Sequence, residues 1–209
     1  MLIIENLKHL DSGTQKNIYA HPDDTDKIIK VMKPEHATPD GGRRGQHTLR
    51  AHRSQGIYKQ FRRELLQYLQ LCKNNYGANR FTFPIETVYG FVPTNQGLGL
   101  VTEKVLGPNN IPITLYDLER KQLFTAKHAE ALDRFFEECC QLHVVYGEVN
   151  IAGIMYTEQR QGRPEFVLVD GIGEKLVIPF RAMSKTINDK NVRKVEAKIK
   201  AKISFYTTG

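Results

Sequence analysis

The first third of the chain alternates between short apolar runs and turn-forming residues. Strand-like runs occur at "MLIIENL", "KNIYAH" and "KIIKVM", with the turn sequences "DSG" and "HPDD" between them. Further along, "FPIETVYGFV" and "LGLVTEKV" flank the turn "PTNQG". Strands joined by short turns pair as antiparallel hairpins, so the pattern predicts an antiparallel sheet of five strands.

Three longer segments have the three- and four-residue apolar spacing of an amphipathic helix. The first is predicted over residues 57–73, the second begins at the N-cap residue Thr125, and the third is a basic helix from about Asn188. Two prolines interrupt the pattern within 105–112. The order is therefore three strands, a helix, two strands, a break, and then mostly helix.

Composition narrows the class of protein. Of the 209 residues 40% are hydrophobic, the mean hydropathy is -0.44, and no apolar run approaches the roughly 18 residues of a membrane span. The three cysteines, Cys72, Cys139 and Cys140, have neither disulfide-framework nor zinc-site spacing. We expect a cytoplasmic globular protein with buried thiols.

The net charge of +7 is concentrated at the C-terminus. From Arg181 onward there are eight basic residues and two acidic ones, which contribute +6. Such a surface attracts polyanions, although no aromatic residues alternate with the charges to stack on bases. A solvated helix face and a nucleic-acid or acidic-partner surface both remain open. A second basic segment, 33–56, contains the Gly- and Arg-rich stretch "PDGGRRGQHTLRAHRSQG" and is predicted to be a loop.

Three charged residues lie within or at the end of apolar segments, where a charge requires a structural or functional explanation. Lys30 lies within the apolar strand "KIIKVMK", where it is either a snorkelling surface lysine or a buried cation. Glu64 falls at the edge of the apolar face of the predicted helix, so a lysine of the preceding strand is its natural partner. Asp170 ends the apolar strand "EFVLVD" before Gly171, which suits either a divalent cation or a simple turn.

A strand lysine, a helix glutamate and a strand-end "DG" resemble the series of a protein kinase, in which they hold phosphates, the lysine and magnesium respectively. Within that superfold the chain resembles the bacterial YrbL family of PhoP regulatory network proteins. The similar stretches are "YAHPDD…KIIKVMK", "FRRELLQYL", "EVNIAGIM" and "LVDGIGEKLVIP", and together they cover most of the chain.

This resemblance implies a two-lobed α+β, protein-kinase-like fold. Its N-lobe, residues 1–104, would hold the five-stranded antiparallel sheet, one helix and the 33–56 insertion. Its C-lobe, residues 105–209, would be short and mainly helical. ATP and magnesium would bind between the lobes. The implied contacts are Lys30 and Glu64 for the phosphates, Gly13 and Thr14 in the nucleotide loop, Glu103 and Val105 at the hinge, and Asp170 for the metal.

The chain departs from the kinase pattern in three places. The nucleotide loop has only Gly13, so a phosphate cradle would rely on the backbone N–H groups of Thr14, Gln15 and Lys16. In "YGEVNIAGIMY", Glu148 stands where the catalytic base belongs, and Gly153 where the second metal ligand belongs. Only 39 residues follow Asp170, too few for the usual peptide-presenting segment.

The implied function is an ATP- and magnesium-binding kinase-like protein, a phosphotransferase with Glu148 as base and an unknown acceptor. One alternative is an inactive pseudokinase that acts as a regulatory or binding module on a protein partner. A second is nucleic-acid binding through the basic tail.

Overall fold

The computed structural model describes residues 1–45, 55–146, 150–175 and 178–207. Contacts divide the chain into two compact units. The first unit is Met1–Leu66 with Thr87–Lys104, and the second is Gln67–Glu86 with Val105–Gly209. The division falls inside helix α1 (Lys59–Asn74), which contributes its first half to one unit and its second half to the other.

The first unit is built on a five-stranded antiparallel sheet in the order β1-β2-β3-β5-β4. Its strands are β1 (His9–Ser12), β2 (Lys16–Ala20), β3 (Lys27–Met32), β4 (Val88–Thr94) and β5 (Gly97–Glu103). The predicted α+β class and the five-stranded antiparallel sheet are confirmed.

The opening run "MLIIENL" does not form the first strand. Ile4–Asn6 instead form a 3₁₀ turn, and the Ile4 N–H donates a hydrogen bond to Asn95 Oδ1 at 2.9 Å. Ile4 is buried against the sheet. The apolar side chains of this segment therefore cover the sheet, while its backbone is held by the turn between β4 and β5.

The register of the sheet separates its two faces. Ile18 of β2 lies opposite Lys30, and Lys16 lies opposite Met32, so Lys16 and Lys30 are diagonal neighbours on one face. The first half of α1 packs on this face, since the Phe61 ring centroid is 6.4 Å from that of Phe91 on β4. The other face carries an apolar cluster of Ile4, Tyr19, Ile29, Val31 and Val101.

The second unit is mainly helical. Besides the second half of α1, it contains α2 (Leu115–Arg120), α3 (Ala126–Gln141), the hairpin β6 (Ile154–Thr157) and β7 (Glu165–Leu168), α4 (Phe180–Met183), α5 (Lys185–Lys200) and α6 (Ser204–Thr207). The second predicted helix is confirmed as α3, and Thr125 caps it, with its N–H 3.1 Å from His128 Nδ1. The basic helix begins earlier than predicted, because the Ser184 side chain accepts a hydrogen bond from the Ile187 N–H.

The core of the second unit lies among α3, the β6–β7 hairpin and α5. Phe136 of α3, Tyr156 of β6, Phe166 of β7 and Val192 of α5 are all buried there. The basic helix is thus part of the folded unit, and its apolar stripe faces inward. Among the described residues, no helix combines the length and the apolar character needed to cross a membrane.

Candidate functional site

The first unit buries an ion pair between the sheet and α1. Glu64 is completely inaccessible to solvent, and its Oε1 lies 3.2 Å from Lys16 Nζ. Lys30, on the same face of the sheet, is only 2% exposed. Burying a charged group costs free energy unless an opposite charge or a hydrogen bond compensates it. The burial of Lys16, Lys30 and Glu64 therefore marks this face of the sheet as a candidate site.

The partner of Glu64 in this ion pair is a lysine that the sequence singled out only for its backbone N–H. Lys16 is the first residue of β2 and precedes the apolar residues of that strand, so nothing in the local pattern marks it as buried. Only the β2–β3 register shows that it shares a face with Lys30. The second oxygen of Glu64, Oε2, is buried and accepts no hydrogen bond from the described residues.

The predicted nucleotide-loop residues form the turn that leads into Lys16. The Gly13 N–H donates to the Lys16 carbonyl oxygen at 2.9 Å and closes the β1–β2 turn. The Thr14 carbonyl oxygen lies 2.9 Å from His36 Nε2 in the following loop. The predicted nucleotide loop is therefore joined by a backbone hydrogen bond to Lys16, whose side chain pairs with Glu64.

The two predicted hinge residues have different environments. Glu103, the last residue of β5, accepts a hydrogen bond from the Thr87 N–H at 3.1 Å, which holds the start of β4. Val105 is buried and belongs to the second unit.

In the second unit the structure brings Asp170 and Gly153 together. The Gly153 carbonyl oxygen accepts hydrogen bonds from the Val169 N–H at 2.8 Å and the Asp170 N–H at 3.3 Å. A Cβ atom placed on Gly153 would stand 3.2 Å from Asp170 Cβ and 3.3 Å from the Asp170 carbonyl oxygen. Glycine is needed here because the two backbones approach closely.

Asp170 lies two residues beyond the end of β7 and is followed by a sharp turn. Gly171 and Gly173 have positive φ angles of 76° and 85°, a conformation that residues with a side chain rarely adopt. The carboxylate is thus presented on a short, well-defined turn, an arrangement that suits a hard cation.

Glu148, the predicted base, lies outside the described residues, but the residues on either side of it are placed. Tyr146 is buried and pairs with Ile172 across an antiparallel bridge. Asn150 accepts a hydrogen bond from the Ala152 N–H and so caps the 3₁₀ turn Ile151–Gly153. Both flanks of Glu148 are therefore tied to the neighbourhood of Asp170.

Sequence reasoning missed the residue that fixes Tyr146 to the C-terminal helices. Arg181 pairs with Glu174 through two guanidinium nitrogens and also donates from Nη1 to the Tyr146 carbonyl oxygen at 3.1 Å. Asn191 of α5 donates to the same oxygen at 3.2 Å. No local pattern could reveal this, because a spacing of seven residues between Glu174 and Arg181 does not by itself bring two side chains together.

The electrostatics of this region keep Tyr146 neutral. Burial raises the pKa of the Tyr146 hydroxyl well above its usual value, and the negative charges of Cys139 and Asp170 in their ionised forms add to the effect. Its hydroxyl has no hydrogen-bond partner among the described residues. Within the same residues, no three His, Cys, Asp or Glu side chains converge as a metal cluster.

The first unit is thus a five-stranded sheet with a lysine–glutamate pair buried under one helix, and the second is a mainly helical unit with an aspartate on a glycine turn. These features define an α+β protein with charged side chains buried in its fold. The chain belongs to the family described as PhoP regulatory network protein YrbL, whose family model matches residues 2–204.

The solved structures similar to the chain include crystal structures of the Mycobacterium tuberculosis PknI kinase domain. A single mutant of that domain is 16% identical with a TM-score of 0.44, and two double mutants are 15% identical with TM-scores of 0.42. Each match covers 78% of this chain and 56–58% of the kinase domain, so the chain spans little more than half of that domain. No curated protein matches the chain.

Proposed function

We propose that this protein binds ATP together with magnesium, as a kinase-like member of its family. The observation that carries the proposal is the ion pair between Lys16 and the fully buried Glu64, on the sheet face that also buries Lys30. In kinases a strand lysine held by a helix glutamate positions the nucleotide phosphates. Here Lys16 pairs with Glu64 and Lys30 lies on the same face of the sheet, and either lysine could contact a phosphate oxygen.

Magnesium is the second part of the proposal. Mg²⁺ is usually bound by one or two carboxylates, with waters and substrate phosphates as its other ligands. Asp170 supplies one such carboxylate on a turn fixed by Gly153, Gly171 and Gly173. Bound magnesium would neutralise charge on the β- and γ-phosphates, and the protein would contribute the position of the carboxylate.

Phosphotransfer would also need a base to accept the proton of the acceptor. Glu148 is the candidate, two residues after Tyr146, whose carbonyl oxygen accepts hydrogen bonds from Arg181 and Asn191. A carboxylate within hydrogen-bonding reach of an acceptor hydroxyl can take up its proton. We expect Glu148→Ala to retain nucleotide binding and to lose any transfer.

A second candidate function is an inactive nucleotide-binding or regulatory module. It is favoured by Gly153, which offers no metal ligand at the position of the second metal-binding asparagine. The close contact of Gly153 with Asp170 also leaves no room for a larger side chain without movement of the backbone. Binding without turnover is the expected behaviour of such a module.

Thermal unfolding of the purified protein with and without Mg·ATP tests the proposal. A ligand that binds only the folded state stabilises it by about 2.7 kcal/mol at a hundred times its dissociation constant. We expect a magnesium-dependent increase in Tm that Asp170→Ala abolishes and that Asp23→Ala, a change at an exposed aspartate of the first unit, leaves intact. No increase at saturating Mg·ATP in the parent protein would overturn the proposal.

Turnover separates the two candidates. If Mg·ATP binds, release of phosphate or labelling of an acceptor that Glu148→Ala eliminates would identify a phosphotransferase. Binding with no turnover in the parent protein would identify the regulatory module.

A further inference from the structure

The outer face of α5 carries a row of lysines with no acidic residue among them. Lys190, Lys194 and Lys198 are exposed and recur every four residues, so they occupy one side of the helix. At about 100° per residue, the three fall within an arc of about 80° opposite the buried Val192 and Ile199. With a rise of about 1.5 Å per residue, the row is about 12 Å long.

The acidic residues of α5 are occupied elsewhere. Asp189 pairs with Lys185 at 3.0 Å, and Glu196 pairs with Arg193 at 2.9 Å and with Lys200 at 2.7 Å. These ion pairs all lie to one side of the lysine row. Across the part of the chain that the structure describes, Lys190, Lys194 and Lys198 form no ion pair, and Lys202 beyond the helix end is likewise exposed without one.

The lysine row continues at its N-terminal end into exposed apolar side chains. Ile187 lies on the same arc of α5, one turn before Lys190. Just ahead of the helix, Ile178, Phe180 and Met183 are all more than half exposed, Met183 by 75%. Four exposed apolar side chains in ten residues, next to uncompensated positive charge, are typical of a docking surface.

We propose that this surface, Ile178 to Lys202, docks on anionic phospholipid at a membrane surface. Basic residues are attracted to the negative charge of acidic headgroups, and adjacent apolar side chains enter the boundary between headgroups and acyl chains. Ala197, which is exposed about 20° outside the arc, is small enough to let the lysine row approach a flat surface closely. The proposal is independent of nucleotide binding.

The composition of the arc favours lipid over nucleic acid. Sequence-specific or single-strand binding uses arginine, amide or aromatic side chains to contact bases, and the arc of α5 of about 80° between Ile187 and Lys198 carries only lysine and isoleucine. The neighbouring Arg193 pairs with Glu196, and the neighbouring Asn191 donates to the Tyr146 carbonyl oxygen. Apolar side chains next to the lysines would face phosphates in a nucleic-acid complex and would gain nothing there.

Flotation with lipid vesicles tests this assignment on the full chain. The parent protein is expected to float with vesicles that contain phosphatidylglycerol and not with pure phosphatidylcholine vesicles. The triple variant Lys190→Gln, Lys194→Gln, Lys198→Gln should bind on the order of a hundredfold more weakly, from about 1 kcal/mol for each lysine. The control triple variant Lys8→Gln, Lys73→Gln, Lys121→Gln removes the same charge from exposed positions elsewhere and should bind like the parent.

The apolar end has its own test. Phe180→Ser with Met183→Ser should weaken vesicle binding at high salt, where screening has already removed most of the lysine contribution. Unchanged thermal unfolding of the Lys190, Lys194, Lys198 triple variant and of the Phe180, Met183 double variant would show that both fold. Equal loss in the two lysine triple variants, or no flotation of the parent with anionic vesicles, would overturn the proposal. Tighter binding of the parent to a DNA duplex or to an acidic protein than to anionic vesicles would also overturn it.

Discussion

Lys16 Nζ and Glu64 Oε1 are 3.2 Å apart, and Glu64 is completely buried by the sheet and α1. Removing one member of a buried ion pair leaves the other charge without compensation, at a cost of about 3–5 kcal/mol. We therefore expect Lys16→Met to lower the free energy of unfolding by about this amount.

A double-mutant cycle with Glu64→Leu measures the pair directly. The double variant Lys16→Met, Glu64→Leu should recover part of the lost stability, because the buried carboxylate is gone as well. Urea unfolding of the four proteins checks this. Purely additive losses would mean that the two side chains do not interact.

Gly153 should not tolerate a side chain. The added Cβ of Gly153→Ala would meet Asp170 Cβ at 3.2 Å and its carbonyl oxygen at 3.3 Å, closer than ordinary contacts. We expect a loss of about 1–3 kcal/mol in unfolding free energy, as for other overpacked sites. Gly77→Ala is the matched control, since no atom lies within 4 Å of the added Cβ there. A loss no larger than that of the control would contradict the close approach.

Asn188 connects α5 to the residues before Tyr146, and we expect this contact to contribute to stability. Its side chain is fully buried and donates from Nδ2 to the Val144 carbonyl oxygen at 2.9 Å. Asn188→Ala leaves that oxygen buried without this donor, which costs about 1–3 kcal/mol. Asn191→Ala should cost less, because the Tyr146 oxygen that it contacts keeps its bond from Arg181. Chemical unfolding of both variants compares them, and equal losses would refute the distinction.

Glu165 should give stability an unusual pH dependence. Burial raises the pKa of this β7 carboxyl above its ordinary value of 4.5, more than the opposing effects of Arg160 and Gln161 lower it. The folded state then holds the proton more tightly than the unfolded chain. The stabilisation is present below the ordinary pKa and is lost as pH rises through the raised one.

Glu165→Gln removes this titration. Relative to the parent, the variant should therefore gain stability as the pH increases from about 4 to about 7 in urea unfolding series. Glu130→Gln, at an exposed position on α3, is the control and should follow the parent at each pH. A constant difference between Glu165→Gln and the parent across the series would show that Glu165 does not titrate in this way.

Local patterns in the sequence were enough for most of the elements. Alternation and turn residues placed the five strands of the first unit with one exception, and the apolar spacing from Thr125 predicted α3 together with its cap. These features depend on neighbours within a few residues, where chain geometry fixes which side chains share a face. The exception is Ile4–Asn6, which was predicted as part of a strand. The prediction was wrong because the Ile4 backbone N–H bonds to the side chain of Asn95, 91 residues away.

The sequence by itself determined which residue types could form a charged site: lysine and glutamate in apolar surroundings, and an aspartate before glycines. Tertiary structure decided which of them meet. Strand register put Lys16 on the sheet face that α1 covers, where it meets Glu64. The close approach of two backbones put Gly153 against Asp170. Tertiary packing also buried the apolar stripe of α5 and left its lysine row on the outer face. These pairings join residues distant in the chain, or depend on which face of a helix is buried, and composition and spacing carry neither kind of information.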